Sequence, residues 1–207
     1  MNHSMKRLNT LLLAAGLSVV GINAHAHGVA ETENNNTFAT ANAGPQGTHE
    51  IHGDISPVQD VDIWSFGLAS GTTFSVNSLV MYSTYSGVFD INLVLFNSAG
   101  QSVASNNGNL NPGVNDLFSY NVDTSGTYYL TVSAYQNTPM DAFGNNLGDA
   151  NGYWYGATTL DHWSNSAFGS GHYGLQITAV PEADTYAMML AGLGLVGWSA
   201  RHRSRRA

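Results

Sequence analysis

Apolar and polar residues in this chain recur in short runs, many with a period of two, each bounded by Gly, Asn, Ser or Pro. The runs are 50–55, 62–68, 72–79, 90–97, 101–105, 117–122, 127–135 and 172–178. In the second, Trp64, Phe66 and Leu68 share one face. In the seventh, Tyr128, Leu130, Val132 and Ala134 alternate with Tyr129, Thr131, Ser133 and Tyr135. Runs of this length and spacing predict an all-β domain: an antiparallel, jelly-roll-like β-sandwich of about eight strands, spanning 50–179. No helical period appears between the two ends of the chain. Residues 27–49 precede the sandwich as an acidic, Asn-rich leader with Glu31, Glu33 and the run Asn34-Asn35-Asn36. Residues 136–171 break the rhythm with Gly, Asn and aromatics, and are read as a long loop, either functional or a poorly ordered insertion. One extra strand fits near 153–159.

The two ends carry a different pattern. Residues 1–26 combine Lys6 and Arg7, an apolar run over 8–22, and Ala24-His25-Ala26. A basic start, a short apolar stretch and small residues at −3 and −1 describe a secretory signal peptide cut after Ala26. The competing reading, a retained membrane anchor, does not use the Ala-x-Ala site. At the other end, 180–207 form a tail in which Val180-Pro181-Glu182-Ala183 precedes the uncharged stretch 186–200, and then Arg-His-Arg-Ser-Arg-Arg-Ala. As a single membrane helix that stretch reaches about 22 Å. A hydrocarbon core is about 30 Å thick, so local thinning and arginine snorkelling have to close the gap. The terminal arginines are expected to stay cytoplasmic, with the acidic domain outside.

Charge sharpens this picture. All six Lys and Arg lie in the two ends, whereas twelve acids fall between Glu31 and Asp161. Phosphate backbones and anionic headgroups need cationic partners, so the domain binds neither nucleic acid nor an anionic lipid surface. An all-acidic surface favours solubility and cation uptake. There are no cysteines, which excludes disulfides, thiolate metal sites and cysteine nucleophiles. Plentiful aromatics and β-branched residues argue against disorder.

The tail resembles the PEP-CTERM sorting signal of Gram-negative bacteria. The resemblance rests on Val180, Pro181 and Glu182, the Leu190-Ala191-Gly192-Leu193-Gly194-Leu195 core, and the cluster Arg201, Arg203, Arg205 and Arg206. Ala183 departs from it, standing where that family has a second proline. The resemblance implies processing by exosortase, a transpeptidase-like membrane enzyme, and an association with exopolysaccharide and biofilm matrix. It also implies an exported protein of the cell envelope, cell surface or matrix, held transiently at the inner membrane.

Residues 31–178 resemble the bacterial pre-peptidase C-terminal type of β-sandwich. The matching stations are Glu31 to Thr37, Ile51-His52-Gly53-Asp54-Ile55, Asp60-Val61-Asp62-Ile63-Trp64-Ser65-Phe66, the run from Asp90 to Phe96, the run from Ser125 to Leu130, and Gly171-His172-Tyr173-Gly174-Leu175. Calcium-binding members of that family share one ion between the leader and the loop before the second strand. Carried over, this implies Glu31, Glu33, Asn35, Asn36, Asp60 and Asp62 as calcium ligands, and calcium takes six to eight oxygen donors. The alternative is a solvated leader beside a turn whose Asp residues cap the backbone.

Other constellations are weaker. Asp149-Ala150-Asn151-Gly152 begins like a calcium loop but puts Leu160 where a bidentate Glu is needed, so it reads as a turn. His49 and His52 point to opposite faces of a strand, which argues against a shared metal. The loop aromatics Trp154, Tyr155 and Trp163 either stack on sugar rings, making a carbohydrate-binding surface module, or cover a sandwich edge or end. Cleavage after Ala26 would expose His27, the starting residue of copper polysaccharide monooxygenases. Its second imidazole would then come from His49, His52, His162 or His172, and the sequence does not select one. With no nucleophile elbow, His-Glu-x-x-His helix or phosphate loop, the expectation is a non-enzymatic protein.

Overall fold

The computed structural model describes residues 28–44, 49–83, 90–107, 117–148, 158–166, 169–181, 190–196, 198 and 201. Both signal-peptide residues Ala24 and Ala26, and His27, fall outside them, as do Asp149, Asn151, Trp154, Tyr155, Glu182, Arg203, Arg205 and Arg206. In chain order the strands are β1 (Val29–Ala30), β2 (Asn42–Ala43), β3 (His49–Ile55), β4 (Val61–Leu68), β5 (Thr72–Ser83) and β6 (Ile91–Phe96). They continue with β7 (Ser102–Asn107), β8 (Leu117–Asn121), β9 (Gly126–Ala134), β10 (Pro139–Met140), β11 (His162–Trp163) and β12 (Gly171–Pro181). All eight runs read from the sequence fall on strands, each giving at least one face to a core. The extra strand suggested near 153–159 falls almost entirely outside the described residues; within them, Thr159 forms an isolated bridge with Gln101.

Two five-stranded sheets form, in the orders β1-β3-β12-β5-β8 and β2-β4-β9-β6-β7. They are not wholly antiparallel as expected: β1 pairs parallel with β3, and β2 parallel with β4. The physical reason is the leader's path. It touches the edge of one sheet at Val29–Ala30 and the edge of the other at Asn42–Ala43 before the chain enters β3 and β4. Eighteen residues, 31–48, separate β1 from β3, enough for the crossover a parallel pair requires. Strands of two residues leave no periodic trace to read.

The inner faces meet in one core. Ile51, Ile55, Phe74, Val76, Phe118, Tyr173, Leu175 and Ile177 come from the first sheet, and Trp64, Phe66, Leu68, Ile91, Leu93, Leu95, Leu130 and Val132 from the second. The faces read from β4 and β9 are the buried ones. The indole Nε1–H of Trp64 donates to the Tyr173 hydroxyl across the core at 3.1 Å.

β6 is buried on both faces, which explains why Asn92 is its one polar residue. Its outward residues Val94 and Phe96 lie under Leu147, with Phe38, Tyr129 and Leu160 packed around them. The long segment after β9 therefore covers the outer face of the second sheet, pinned by the pair β10–β11. Leu147→Ala is expected to cost about 2–4 kcal/mol by opening a cavity beneath this cover. Chemical denaturation, with the domain otherwise folded, measures it.

β12 continues beyond the predicted 172–178 to Pro181, so the first two residues of the tail, Val180 and Pro181, are in the sheet. Residues 190–196, 198 and 201 are helical and exposed. Among the described residues, no helix is long and apolar enough to cross a membrane.

Candidate metal centre

At the Gly171 end of β12 the leader crosses the end of the sandwich. The Glu31 N–H donates to the His52 carbonyl at 2.9 Å and the Ile63 N–H donates to the Asn35 carbonyl at 3.2 Å, so the leader bridges β3 and β4. Glu31 Oε1 accepts the Asp54 N–H at 2.6 Å, and Oε2 receives the Tyr173 hydroxyl at 3.4 Å. Asp62 lies two residues before Trp64, so strand alternation aims its carboxyl inward, between the sheets. One carboxylate oxygen each from Glu31, Glu33 and Asp62 falls within 4.8 Å of the others.

Asp62 is fully buried, and neither carboxyl oxygen has a hydrogen-bond partner. Asn35 is also fully buried, with both side-chain amide atoms unpartnered. A buried carboxylate in that condition is costly unless a proton or a cation compensates it. No Lys or Arg occurs between Arg7 and Arg201 to do so. Burial first, and then the closeness and charge of the Glu31 carboxylate, push Asp62 up to about 10. Burial, followed by the charges of Asp60 and Glu31, also raises Glu33, and burial with Asp62 and Glu31 raises Tyr173 well above the usual phenol range.

Of the six residues carried over from the resemblance, the structure brings Glu31, Glu33 and Asp62 together. Asp60 serves as a turn cap: Oδ2 accepts the Ser56 N–H at 3.1 Å and Oδ1 the Val61 N–H at 2.9 Å, while its charge still bears on Glu33. Asn35 is buried with its amide unpartnered, whereas Asn36 is exposed. Tyr173 and Gly53 complete the site and were not singled out as site residues by sequence. A Cβ at Gly53 would collide with Glu31 Oε2 and the Tyr173 hydroxyl. A glycine inside an otherwise regular strand was the available signal for such a close approach.

Beside the carboxyls, a cavity of about 470 Å³ opens to the surface between Glu31, Glu33, His52, Asp54 and His172. His172 Nδ1 contacts Asp54, and His52 Nε2 lies 3.6 Å from Glu50. His162 pairs with Asp161 at 3.0 Å, away from this site. His49 and His52 are on opposite faces of β3, as alternation requires. Trp163 is half-buried within β11.

Residues 60–134, from Asp60 just before β4 through β9, match the bacterial pre-peptidase C-terminal domain. Residues 179–206 match the PEP-CTERM protein-sorting motif. Asp60 and Asp62 fall inside the pre-peptidase C-terminal match, whereas Glu31, Glu33, Asn35 and Tyr173 lie outside it and reach the site through the fold. The sorting motif implies an exported, envelope-associated protein processed by an exosortase, which is a membrane enzyme. No curated protein matches the chain. Among solved structures, the periplasmic inhibitor PliG of g-type lysozyme from Aeromonas hydrophila aligns at 12% identity and a TM-score of 0.38, over 73% of this chain and 95% of that one. Nothing about activity follows from that likeness.

Proposed function

We propose that the protein is a non-enzymatic component of the cell surface or extracellular matrix of a Gram-negative bacterium, whose sandwich is completed by one calcium ion. The observation that carries the calcium reading is the buried Asp62 carboxyl, with two unpartnered oxygens beside Glu31 and Glu33. These residues suit a hard cation: Glu31, Glu33 and Asp62 offer carboxylate oxygens, and Asn35, two residues after Glu33, carries a buried and unpartnered amide oxygen. The ion would balance the clustered charge and tie the leader to β4 at the end of the sandwich.

In this reading the apolar stretch 186–200 holds the precursor in the inner membrane until the exosortase acts, and exopolysaccharide of the matrix is the mature protein's surroundings. The aromatic insert packs rather than binds sugar. Support for that comes from Leu147 and Leu160, which sit over the second sheet, and from the half-buried Trp163.

Isothermal titration of the exported protein, stripped with chelator, tests the calcium reading. One calcium per chain is expected, with magnesium binding more weakly because it dehydrates reluctantly. Asp62→Asn and Glu31→Gln should each weaken binding at least tenfold. Equal calcium affinity in wild type and both variants would move the ion elsewhere and end this reading.

A further inference from the structure

The two faces of β3 carry different chemistry. Gly53 turns inward, toward Glu31 and Tyr173, whereas His52 and Asp54 turn outward, as strand alternation requires. His172, on β12, is the cross-strand partner of Asp54, so it shares that outer face. Three side chains with metal-ligating atoms therefore stand on neighbouring positions. His52 and Asp54 are two residues apart on one strand, about 7 Å at strand rise. His172 is directly opposite Asp54, about 5 Å away between Cβ atoms, and the diagonal from His172 to His52 is about 7–8 Å, within reach of an aromatic side chain.

The local packing leaves these side chains room to converge. His52 faces Gly174 across the ladder, and Gly28 of the leader passes so close that a Cβ on it would stand 2.6 Å from His52 Nε2. With glycine at both positions, the ring keeps space to turn. All three side chains are about half exposed, and all three line the cavity beside the carboxyls. His172 Nδ1 and the Asp54 carboxylate already meet there. His52 leans toward Glu50, 3.6 Å from Nε2, and joining it to that pair takes a change of staggered rotamer. No Lys or Arg occurs between Arg7 and Arg201 to neutralise Asp54.

We propose that His52, Asp54 and His172 form a second metal site, on the outer face of the first sheet, for a divalent transition metal of the zinc kind. Two imidazole nitrogens and one carboxylate oxygen are a donor set that such ions take, whereas calcium and magnesium are bound by oxygen. The inner cluster of Glu31, Glu33 and Asp62 offers oxygen alone, so the two sites select different ions. Three protein ligands leave a coordination position to water on the cavity side. The ion ties β3 to β12 at the end of the sandwich that the leader crosses. The proposal stands apart from the calcium reading, because its ligands lie on the opposite face of β3 and share no side chain with the inner cluster.

Calorimetric titration of zinc into the exported protein, with calcium present throughout, is the test. One zinc per chain is expected. His52→Ala, Asp54→Asn and His172→Ala should each weaken it at least tenfold, at an unchanged melting temperature in chelator. His162→Ala, which removes an exposed histidine paired with Asp161, should not change it. Asp62→Asn separates the two sites: it removes a carboxylate of the inner cluster and should leave zinc affinity as it was. NMR of the unaltered protein reads the ligands without any variant, and zinc should shift the ring signals of His52 and His172 and of no other histidine. Absence of zinc binding, zinc affinity that survives any of the three substitutions, or ring shifts at other histidines would overturn the proposal. Loss of zinc binding in Asp62→Asn would overturn it too, by placing the ion in the carboxyl cluster. A failure of the calcium reading leaves each of these expected results as it stands.

Discussion

Stripped of calcium, the exported protein is expected to lose stability steadily as the pH rises from about 4 toward 9. In the unfolded chain Asp62 ionises near its ordinary value of 3.8, whereas in the folded protein burial, reinforced by Glu31, holds it protonated until about 10. Between those values the folded state carries the extra proton, so raising the pH favours unfolding. The contribution is least unfavourable below the lower value, where both states are protonated. One such group gives a slope of at most about 1.4 kcal/mol per pH unit. This is the reverse of an ordinary salt-bridged carboxylate, which adds stability as the pH rises. Asp62→Asn should flatten the profile, since an amide does not ionise. Calcium should flatten it too, because the ion takes the ionised form. Denaturant midpoints across the pH range, with chelator present, check both; a wild-type profile as flat as that of Asp62→Asn would refute the account of Asp62.

Gly53→Val is expected to destabilise the protein by about 2–3 kcal/mol and to abolish its response to calcium. Valine suits a strand in isolation, and β3 is otherwise regular. At this position, however, the new Cβ meets both Glu31 Oε2 and the Tyr173 hydroxyl, so the leader must move off the sandwich. Gly126→Ala serves as the contrast. Its Cβ would enter open space, so the change should be neutral or stabilising by up to about 1 kcal/mol. Thermal melts of the two variants with and without calcium separate loss of the site from a general intolerance of side chains at strand glycines.

The strands were legible because the sandwich has one core and each long strand gives it one face. Trp64, Phe66 and Leu68 on β4, and Tyr128, Leu130, Val132 and Ala134 on β9, could be read from period two alone and are buried. Two-residue strands could not be read that way, so the parallel edges at β1 and β2 were missed. The role of the long insert was also hidden, since Leu147 and Leu160 are isolated apolar residues in a polar stretch. Their significance depends on Val94 and Phe96 lying beneath them. The carboxyl cluster was legible only through resemblance, and only in part. Within the leader, which amide is buried depends on where the chain crosses β4, and Asn35 rather than Asn36 meets Ile63. Tyr173 joins the site from the last strand, a partner that local pattern cannot reveal. The extent of β12 was obscured because Val180 and Pro181 read as the start of the tail, although their pairs with Thr73 and Thr72 make them the end of the sandwich.

The central claim, that a calcium ion completes this sandwich, is tested most directly by melting the exported protein at pH 7.5 in chelator and in millimolar calcium. A hundredfold excess over Kd adds about 2.7 kcal/mol to the folded state, which for a domain of this size raises Tm by about 5–10 °C. Magnesium should raise it less. Superimposable curves in chelator and calcium would contradict the claim.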